Sequence, residues 1–312
     1  MRNSKLTSSL KHYEVIIIGG GPAGLTAGIY TSRARLSSLL IERGLIGGQI
    51  VNAGRLENYP GFPKGISGAE LGELMYQQAT RYGLETAVAE VTGLKSRGKQ
   101  KLVETTEGSF IARAVIIAGG CRRQKLGVPG EERFAGKGVS YCATCDGALF
   151  RGLPVAVVGG GNAAITEALH LARFASRVTV VHRRDQLRAV SILQEKAFSE
   201  PKIDFRWDSV VEQIEGGDLV NRIKLRNVKT GEESTLGISG VFVSIGLLPN
   251  TDYLKGFLPL DKTGAIIANS NMETEVAGVF TAGDIRLNSP RQVVTACGDG
   301  AAAAIQATKF FT

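Results

Sequence analysis

Two cysteines near the middle of the chain are the residues whose type and spacing most directly suggest chemistry. Cys142 and Cys145 are separated by two residues, and Asp146 follows the second sulfur. A Cys-x-x-Cys pair at the start of a helix can close a small disulfide, and the helix N-terminus favours a thiolate. A carboxyl group beside a departing thiolate can donate or shuttle a proton. The pattern therefore predicts a redox-active dithiol with Cys142, Cys145 and Asp146 as catalytic residues.

The main alternatives for this pair are a zinc site and two inert thiols. A closed zinc site needs four ligands, but the sequence has no second Cys-x-x-Cys and only three histidines, none of them paired in spacing with another. No metal site is therefore predicted, whereas inert thiols remain an alternative. The isolated Cys121 and Cys297 are interpreted as buried apolar fillers.

A glycine-rich segment far upstream has the full context of a dinucleotide fingerprint. The β-branched run 14–18 predicts a buried parallel strand, the glycines follow at once, and a helix over 25–35 leads to a second strand over 38–42. Gly19 permits the tight turn, Gly21 lets backbone N–H groups approach a pyrophosphate, and Gly24 lets the helix pack closely. A purely structural strand–turn–helix is the alternative. The dinucleotide-binding candidates here are Gly19, Gly21, Pro22, Ala23, Gly24 and Glu42.

The same pattern returns about 140 residues later with a different ending. Glu42 closes the first unit, and its carboxylate can accept both ribose hydroxyls, which favours a cofactor without a 2′-phosphate. The second unit closes with arginines, whose planar guanidinium groups bind a 2′-phosphate through charge-assisted hydrogen bonds. His182 is expected to pack beside an adenine, although solvated arginines with no ligand are the alternative. The candidates in the second unit are Gly159, Gly161, Asn162, Ala163, Ala164, His182, Arg183, Arg184 and Arg188.

The order of these units predicts an α/β protein with two Rossmann-like dinucleotide-binding domains, the second inserted into the first. An apolar strand over 278–284 and an Ala-rich helix over 291–308 follow without a third fingerprint, so they are expected to complete the first domain. We predict residues 1–123 and 249–312 for the first domain and 124–248 for the second, which carries the dithiol. Strands over 204–207, 210–214 and 222–226 are expected to form an antiparallel hairpin region.

Charge and hydropathy restrict the cellular setting. The formal net charge is +8, from 37 basic and 29 acidic residues, but the basic residues are scattered rather than clustered, so no nucleic-acid partner is expected. No apolar run approaches the ~20 residues of a membrane span. The polar N-terminal segment lacks the apolar core of a secretory signal. We therefore expect a cytoplasmic protein that does not act at a membrane.

Taken together, these segments resemble the bacterial-type low-molecular-weight thioredoxin reductases, NADPH-dependent flavoproteins among the pyridine nucleotide-disulfide oxidoreductases. The matching segments occur in the order and spacing of that family over 13–309. They are Gly19–Gly24, Gly47–Gln49, Glu57–Gly61, Cys142–Gly147, Gly159–Asn162, His182–Asp185 with Arg188, Pro249–Thr251, Ala282–Asp284 and Arg291–Val293. The block Cys-Ala-Thr-Cys-Asp-Gly beside a second glycine turn is the most specific of them.

The resemblance implies FAD in the first domain, NADPH in the second, and a homodimer whose NADPH domain rotates against the FAD domain. Cys145 would face the flavin, Cys142 would attack the partner's disulfide, and Asp146 would be the general acid. Further FAD contacts implied in this way are Gly48, Gln49, Asn58, Gly283, Asp284, Arg291, Gln292 and Val293.

The implied activity is NADPH-dependent reduction of a disulfide in thioredoxin or a thioredoxin-like protein through FAD and the dithiol. A flavin-dependent dithiol oxidase, a reductase of another disulfide partner, and a redox-sensing nucleotide-binding protein without turnover are the alternatives. One departure concerns the partner: Ala148-Leu149-Phe150 stands where many relatives have adjacent aromatic residues that help to dock thioredoxin.

Overall fold

The computed structural model describes residues 10–53 and 55–311. Its helices are α1 Pro22–Arg33, α2 Gly68–Thr80, α3 Ala143–Asp146, α4 Asn162–Leu171, α5 Ser191–Ser199 and α6 Val293–Lys309. The strands up to the first crossover are β1 Lys11–Ile18, β2 Ser38–Glu42, β3 Glu85–Val88, β4 Val91–Arg97, β5 Gln100–Thr105, β6 Gly108–Ile117 and β7 Cys121–Arg123. The later strands are β8 Val139–Ser140, β9 Pro154–Val158, β10 Arg177–Val181, β11 Ile203–Arg206, β12 Ser209–Gly216, β13 Val220–Asn227, β14 Glu233–Gly237, β15 Gly240–Val243, β16 Leu247–Pro249 and β17 Val279–Thr281.

The chain divides into two compact units. The first comprises Met1–Arg122 and Leu248–Thr312, and the second comprises Arg123–Leu247. The boundaries predicted from the sequence, between 123 and 124 and between 248 and 249, each lie one residue C-terminal to those of the structure. The chain passes between the units through β7 and β16, which pair with each other in a two-stranded sheet.

The first unit is built on a sheet of order β3-β2-β1-β6-β5-β4, with β17 also paired to β6. β1 runs parallel to both β2 and β6. The apolar runs at the ends of these strands are buried on both faces, as expected of parallel strands covered on each side. One core cluster gathers the apolar side chains of α1, α2 and α6, while the other lies among β4, β6 and residues 254–285. The Ala-rich C-terminal helix therefore completes the first unit.

The second unit contains a parallel sheet of order β11-β10-β9-β15-β8 and an antiparallel sheet of β12, β13 and β14. The prediction that 204–207 belongs to the antiparallel region is wrong, because β11 pairs in parallel with β10. A parallel neighbour needs a crossover connection, and the helix that supplies it, α5, was not recognised in the sequence. The hairpin of β12 and β13 does form.

Within residues 10–53 and 55–311, no helix combines the length and the apolar character needed to span a bilayer.

Candidate functional site

Two glycines of the turn after β1, Gly19 and Gly24, have no room for a side chain. A Cβ at Gly19 would lie 2.4 Å from the carbonyl oxygen of Ala118, and Gly19 has a φ of +108°. A Cβ at Gly24 would lie only 1.8 Å from the oxygen of Gly19, so only glycine allows α1 to pack this closely against the turn. α1 begins at Pro22, and Gly21 caps it with no side-chain hydrogen bond. The start of the helix is therefore open to an anion such as a pyrophosphate.

Glu42, at the end of β2, faces this turn. Its Oε2 accepts a hydrogen bond from Gly20 N at 2.7 Å, and its Oε1 accepts one from Gly44 N at 2.9 Å. Each carboxylate oxygen keeps a further lone pair, so Glu42 can still accept from ribose hydroxyls. Glu42 and Gly19 line a cavity of about 640 Å³, which is within the range of small-molecule sites.

A short 3₁₀ helix over Gly48–Asn52 lies against the glycine turn. A Cβ at Gly48 would be 2.9 Å from Gly21 Cα, and the φ of Gly48 is +61°. The next side chain, Gln49, donates from Nε2 to Cys121 O at 2.6 Å. The structure thus brings Gly48 to the first glycine turn and joins Gln49 to Cys121, the first residue of β7.

The segment after β17 lies beside the start of α1 as well. A Cβ at Gly283 would be 2.9 Å from the Cβ of Ala23. Asp284 is half-buried, and burial raises the pKa of its carboxyl group while the charge of Arg291 opposes that rise. Ser289 Oγ donates weakly to Asp284 Oδ1 at 3.4 Å. The turn that follows β17 therefore carries a half-buried carboxyl group, that of Asp284.

Asn58 and the start of α6 are joined across a long sequence separation. Asn58 Nδ2 donates to Gln292 Oε1 at 2.9 Å. Gln292 is the N-cap of α6, in a reciprocal capping box with Thr295, and Val293 is the first residue of the helix. The predicted residues Asn58, Gln292 and Val293 therefore form one neighbourhood of the first unit.

In the second unit, the loop after β10 folds back onto the second glycine turn. Arg188 N donates to Gly160 O at 2.7 Å, and Val190 N donates to Asn162 Oδ1 at 2.8 Å. A Cβ at Gly159 would lie 2.2 Å from a backbone oxygen, so this position also excludes a side chain. These bonds hold the arginine-bearing loop beside the start of α4.

The other predicted residues of this turn belong to the start of α4. Gly161 is its N-cap and has no side-chain cap hydrogen bond. Ala163 is exposed in the first turn, whereas Ala164 is fully buried in the core. This start of a helix is open to an anion in the same way as that of α1.

His182 is a buried wall of the second turn. A Cβ at Gly160 would lie 2.5 Å from atoms of the His182 ring. The ring packs edge to face against Trp207, with 6.4 Å between the ring centroids. Burial lowers the pKa of His182, and the charges of Arg188 and Arg184 lower it further. Nε2 is buried with no hydrogen-bond partner. The lowered pKa favours the neutral imidazole, and its contacts are those of a packed side chain.

Three exposed guanidinium groups follow His182. Arg183, Arg184 and Arg188 line a cavity of about 330 Å³. The nearby Asp185 pairs instead with Lys229 Nζ at 2.9 Å. Among the described residues, no carboxylate forms an ion pair with any of the three arginines. The cluster is therefore available to a multiply charged anion.

The predicted dithiol segment lies at a one-turn helix in the same unit. Cys142 is disulfide-bonded and directly precedes α3. Cys142 N donates to Ser140 Oγ at 3.0 Å, and Ser140 Oγ donates to Asp146 Oδ2 at 2.6 Å. Asp146 N in turn donates to Cys142 O at 3.1 Å. The carboxyl group is thus held beside the backbone of Cys142 by the buried Ser140.

Sequence reasoning missed three residues of these sites. Asn250 Nδ2 donates to Gly119 O at 2.8 Å, while its buried Oδ1 has no partner and lines the cavity beside Glu42. Cys121, interpreted as a filler, is buried but also donates from Sγ to Asp284 O at 3.1 Å. Ser140 carries no sequence signal, whereas Asn250 falls within a recognised segment and could have been chosen.

The sequence is similar to those of known proteins over nearly its whole length. Residues 13–300 match the family described as pyridine nucleotide-disulphide oxidoreductase. The thioredoxin reductase of Bacillus subtilis (strain 168) is 50% identical over 298 residues, which cover 95% of this chain and 94% of that protein. The chain belongs to the thioredoxin reductase family. The thioredoxin reductase of Listeria monocytogenes is 47% identical over 98% of this chain and 96% of its own length.

Solved structures of this family have the same fold. The Lactococcus lactis thioredoxin reductase superposes with a TM-score of 0.93 at 45% identity, covering 96% of this chain and 98% of the other. The enzyme from T. acidophilum gives 0.91 at 33% identity, with the same coverage. The prediction of two Rossmann-like domains is confirmed.

Thioredoxin reductases use FAD and NADPH, and the residues described here fit such cofactors. A side chain would clash with the backbone at Gly19, Gly24 and Gly159. The N-caps Gly21 and Gly161 leave open space in front of α1 and α4, where an anionic group can approach the helix starts. The buried, unpaired Oδ1 of Asn250 awaits a donor, since an unmet buried acceptor costs free energy. Arg183, Arg184 and Arg188, which form no ion pair with a carboxylate of the described residues, can bind an anionic group.

Proposed function

We propose that the chain catalyses the NADPH-dependent reduction of a disulfide in thioredoxin or a thioredoxin-like protein. The observation that carries the proposal is the disulfide-bonded Cys142, held beside Asp146 in a member of the thioredoxin reductase family with two dinucleotide cradles. The family resemblance extends over nearly the whole chain, which supports the complete activity rather than one domain's share of it.

The first unit binds FAD in this proposal. Glu42 supports a ribose without a 2′-phosphate, because its charge would repel that group. Asn250 adds an acceptor, and the open start of α1 receives the pyrophosphate. The proposed FAD residues are Gly19, Gly21, Pro22, Ala23, Gly24, Glu42, Gly48, Gln49, Asn58, Gly283, Asp284, Arg291, Gln292 and Val293.

The second unit binds NADPH. Its unpaired arginines favour the 2′-phosphate, which carries the charge that distinguishes NADPH from NADH. The proposed NADPH residues are Gly159, Gly161, Asn162, Ala163, Ala164, His182, Arg183, Arg184 and Arg188.

Bound FAD supplies two-electron chemistry between the nicotinamide and a disulfide. Two electrons and two protons convert the Cys142–Cys145 disulfide to a dithiol. The Cys142 thiolate then attacks the partner's disulfide, forms a mixed disulfide and releases one partner thiolate, which takes up a proton. The Cys145 thiolate then attacks the Cys142 sulfur of the mixed disulfide, which restores the Cys142–Cys145 disulfide and expels the second partner thiolate. Asp146 exchanges protons with the sulfurs during these steps.

We also propose that the protein acts as a homodimer in the cytoplasm. The family resemblance supports the dimer, and light scattering of the purified protein tests it. The use of cysteines supports the cytoplasm, since Cys121 and Cys297 are free thiols rather than parts of a disulfide framework.

An anaerobic titration of the FAD-loaded protein with NADPH or NADH tests the activity. We expect NADPH to bleach the flavin absorbance at far lower concentration than NADH, and each NADPH to yield two thiols from oxidised thioredoxin. Cys142→Ser and Cys145→Ser should keep flavin bleaching and lose thiol production. Oxygen consumption with a dithiol and no dependence on NADPH would indicate an oxidase instead. Nucleotide binding without bleaching would indicate a sensor.

A further inference from the structure

Asp299, on α6, is a buried carboxylate that the proposed chemistry does not use. It is 7% exposed. Its Oδ2 accepts from Gly283 N at 3.1 Å and from Arg286 Nε at 2.6 Å, and its Oδ1 accepts from Arg286 Nη2 at 2.9 Å. One carboxylate thus meets a backbone amide and a bidentate guanidinium at once, a geometry of high directional specificity.

The two partners of Asp299 enclose Asp284. Gly283 opens the 3₁₀ turn Gly283–Ile285 with a φ of +79°, in the left-handed region, and Arg286 ends it. Arg286 Nη1 also donates to Leu287 O at 3.2 Å, which fixes the guanidinium from its other side. Asp299 on α6 therefore binds both ends of the turn that carries Asp284, Gly283 at its start and Arg286 at its end.

The same part of α6 contacts the start of α1. A Cβ at Gly300, the next residue after Asp299, would lie 2.1 Å from Ala23 O. A Cβ at Gly283 would lie 2.9 Å from Ala23 Cβ. Three segments meet at Ala23 with no spare volume: α6, the turn of Asp284, and the first turn of the helix that follows the glycine cradle.

We propose that Asp299 and Arg286 are positioning residues for FAD. Their ion pair fixes the Gly283–Asp284 turn against the start of α1, so that the turn and the glycine cradle receive the cofactor as one rigid surface. This inference rests on the proposed assignment of FAD to the first unit. Neither residue is proposed to touch the reacting atoms.

The charge of Asp284 explains why Asp299 is paired with Arg286. An isolated Asp299 would place a second carboxylate close to Asp284, in a site meant for a pyrophosphate. Arg286 cancels that charge while leaving a strong acceptor for the Gly283 amide. Consistent with this, the charge of Asp299 raises the pKa of Asp284 and that of Arg286 lowers it, both by less than burial does.

The alternative is that the pair only docks α6, and a double substitution separates the two roles. Asp299→Leu with Arg286→Met replaces the ion pair by apolar side chains, an exchange that often preserves stability. It also removes the acceptor of the Gly283 amide. We expect the thermal midpoint of the apoprotein to stay within a few degrees of the wild type. The dissociation constant for FAD should rise about tenfold or more, because the turn is no longer held in the conformation that receives the cofactor and has to be ordered on binding.

Binding is measured by the quenching of FAD fluorescence during reconstitution of the apoprotein, together with the visible spectrum of the bound flavin, which should shift. Asp218→Asn and Arg97→Lys, both at exposed positions, are the matched controls and should bind FAD as the wild type does. An unchanged dissociation constant and flavin spectrum in the double variant would overturn the proposal and leave only a docking role, whatever the stability.

If the double variant does not fold, Asp299→Asn decides, because its amide oxygen still accepts from Gly283 N while the charge is lost. Weaker FAD binding and a shifted flavin spectrum support the proposal, and wild-type values for both overturn it. Failure of the wild-type apoprotein itself to bind FAD would instead overturn the assignment of FAD on which the inference rests. The two failures are therefore distinguishable.

Discussion

At the scale of single residues, the two cradles differ most in charge. Glu42 stands at the end of one strand, and three exposed arginines follow the end of the corresponding strand in the second unit. The sequence could predict this difference because the position after the second strand of a βαβ unit is fixed by the fold. It could not predict that Ser140 would reach Asp146, since nothing in the local pattern specifies that contact.

Loss of two arginines should change the choice of coenzyme. In Arg183→Ala/Arg184→Ala, we expect the KM for NADPH to rise about 10- to 100-fold, because a loss of about 1.5–3 kcal/mol in total from charge-assisted hydrogen bonds at this exposed site has that effect. The KM for NADH and kcat should change little. Arg222→Ala, which removes an exposed arginine paired with Glu215, is the control. Steady-state kinetics with both coenzymes measure the effect, and an equal loss with NADH would contradict it.

His182 should make the second unit sensitive to acid. Burial lowers its pKa below the ordinary 6.5, so the unfolded chain binds a proton first as the pH falls. Its contribution to stability is therefore complete above about pH 6.5 and is lost as the pH falls below that value. Urea unfolding followed by the fluorescence of Trp207, the one tryptophan, reports on this unit.

His182→Gln should reduce the loss of stability between pH 7 and 5. Burial also lowers the pKa of His170, so the double variant with His170→Gln should reduce it further. His12→Gln, in the other unit, should leave the pH dependence of the Trp207 signal as it is. An unchanged slope in both His182 variants would refute the assignment.

At the scale of elements, long patterns were predictable and short ones were not. The strand–glycine–helix units could be recognised because the turn, the helix and the second strand all constrain the same segment. The strand β11 is predicted by the sequence, but its parallel pairing and the helix α5 are not, because nine helical and four strand residues give too little periodicity to reveal a crossover. Their pairing is decided by β10, which is far away in sequence.

The approach of α1 to the glycine turn predicts the effect of one methyl group. Gly24→Ala would place a Cβ 1.8 Å from Gly19 O, so the helix must move. We expect a loss of about 3 kcal/mol or more in the free energy of unfolding, together with loss of bound FAD. Gly298→Ala, in α6, meets nothing within 4 Å and should be neutral or stabilising. Denaturant unfolding and the flavin content of the purified variants measure both effects.

At the scale of the whole molecule, the hydrophobic cores respect the division of the chain. Two core clusters belong entirely to the first unit and two belong entirely to the second. The order of the sequence predicted this arrangement because the last helix carries no fingerprint of its own. The exact residue at which the chain passes from one unit to the other depends on the local pairing of β7 with β16. No sequence pattern predicts that pairing.

Because the second unit is continuous and has its own cores, the fragment 123–247 should fold by itself. We expect a single cooperative unfolding transition with a free energy of about 5 kcal/mol or more, and retained binding of NADPH. Circular dichroism, Trp207 fluorescence and calorimetric titration test this. A fragment without cooperative unfolding would show that the second unit depends on the first.

The pairing of β7 with β16 also has an evolutionary consequence. On one side of this ribbon Asn250 N donates to Gly120 O at 3.0 Å, and on the other Gln124 N donates to Gly246 O at 2.9 Å. The chain therefore leaves and re-enters the host domain through neighbouring backbones, and a loop of a few residues could close the gap. A whole nucleotide-binding module could thus have been acquired, or could be exchanged, without breaking any strand of the host sheet.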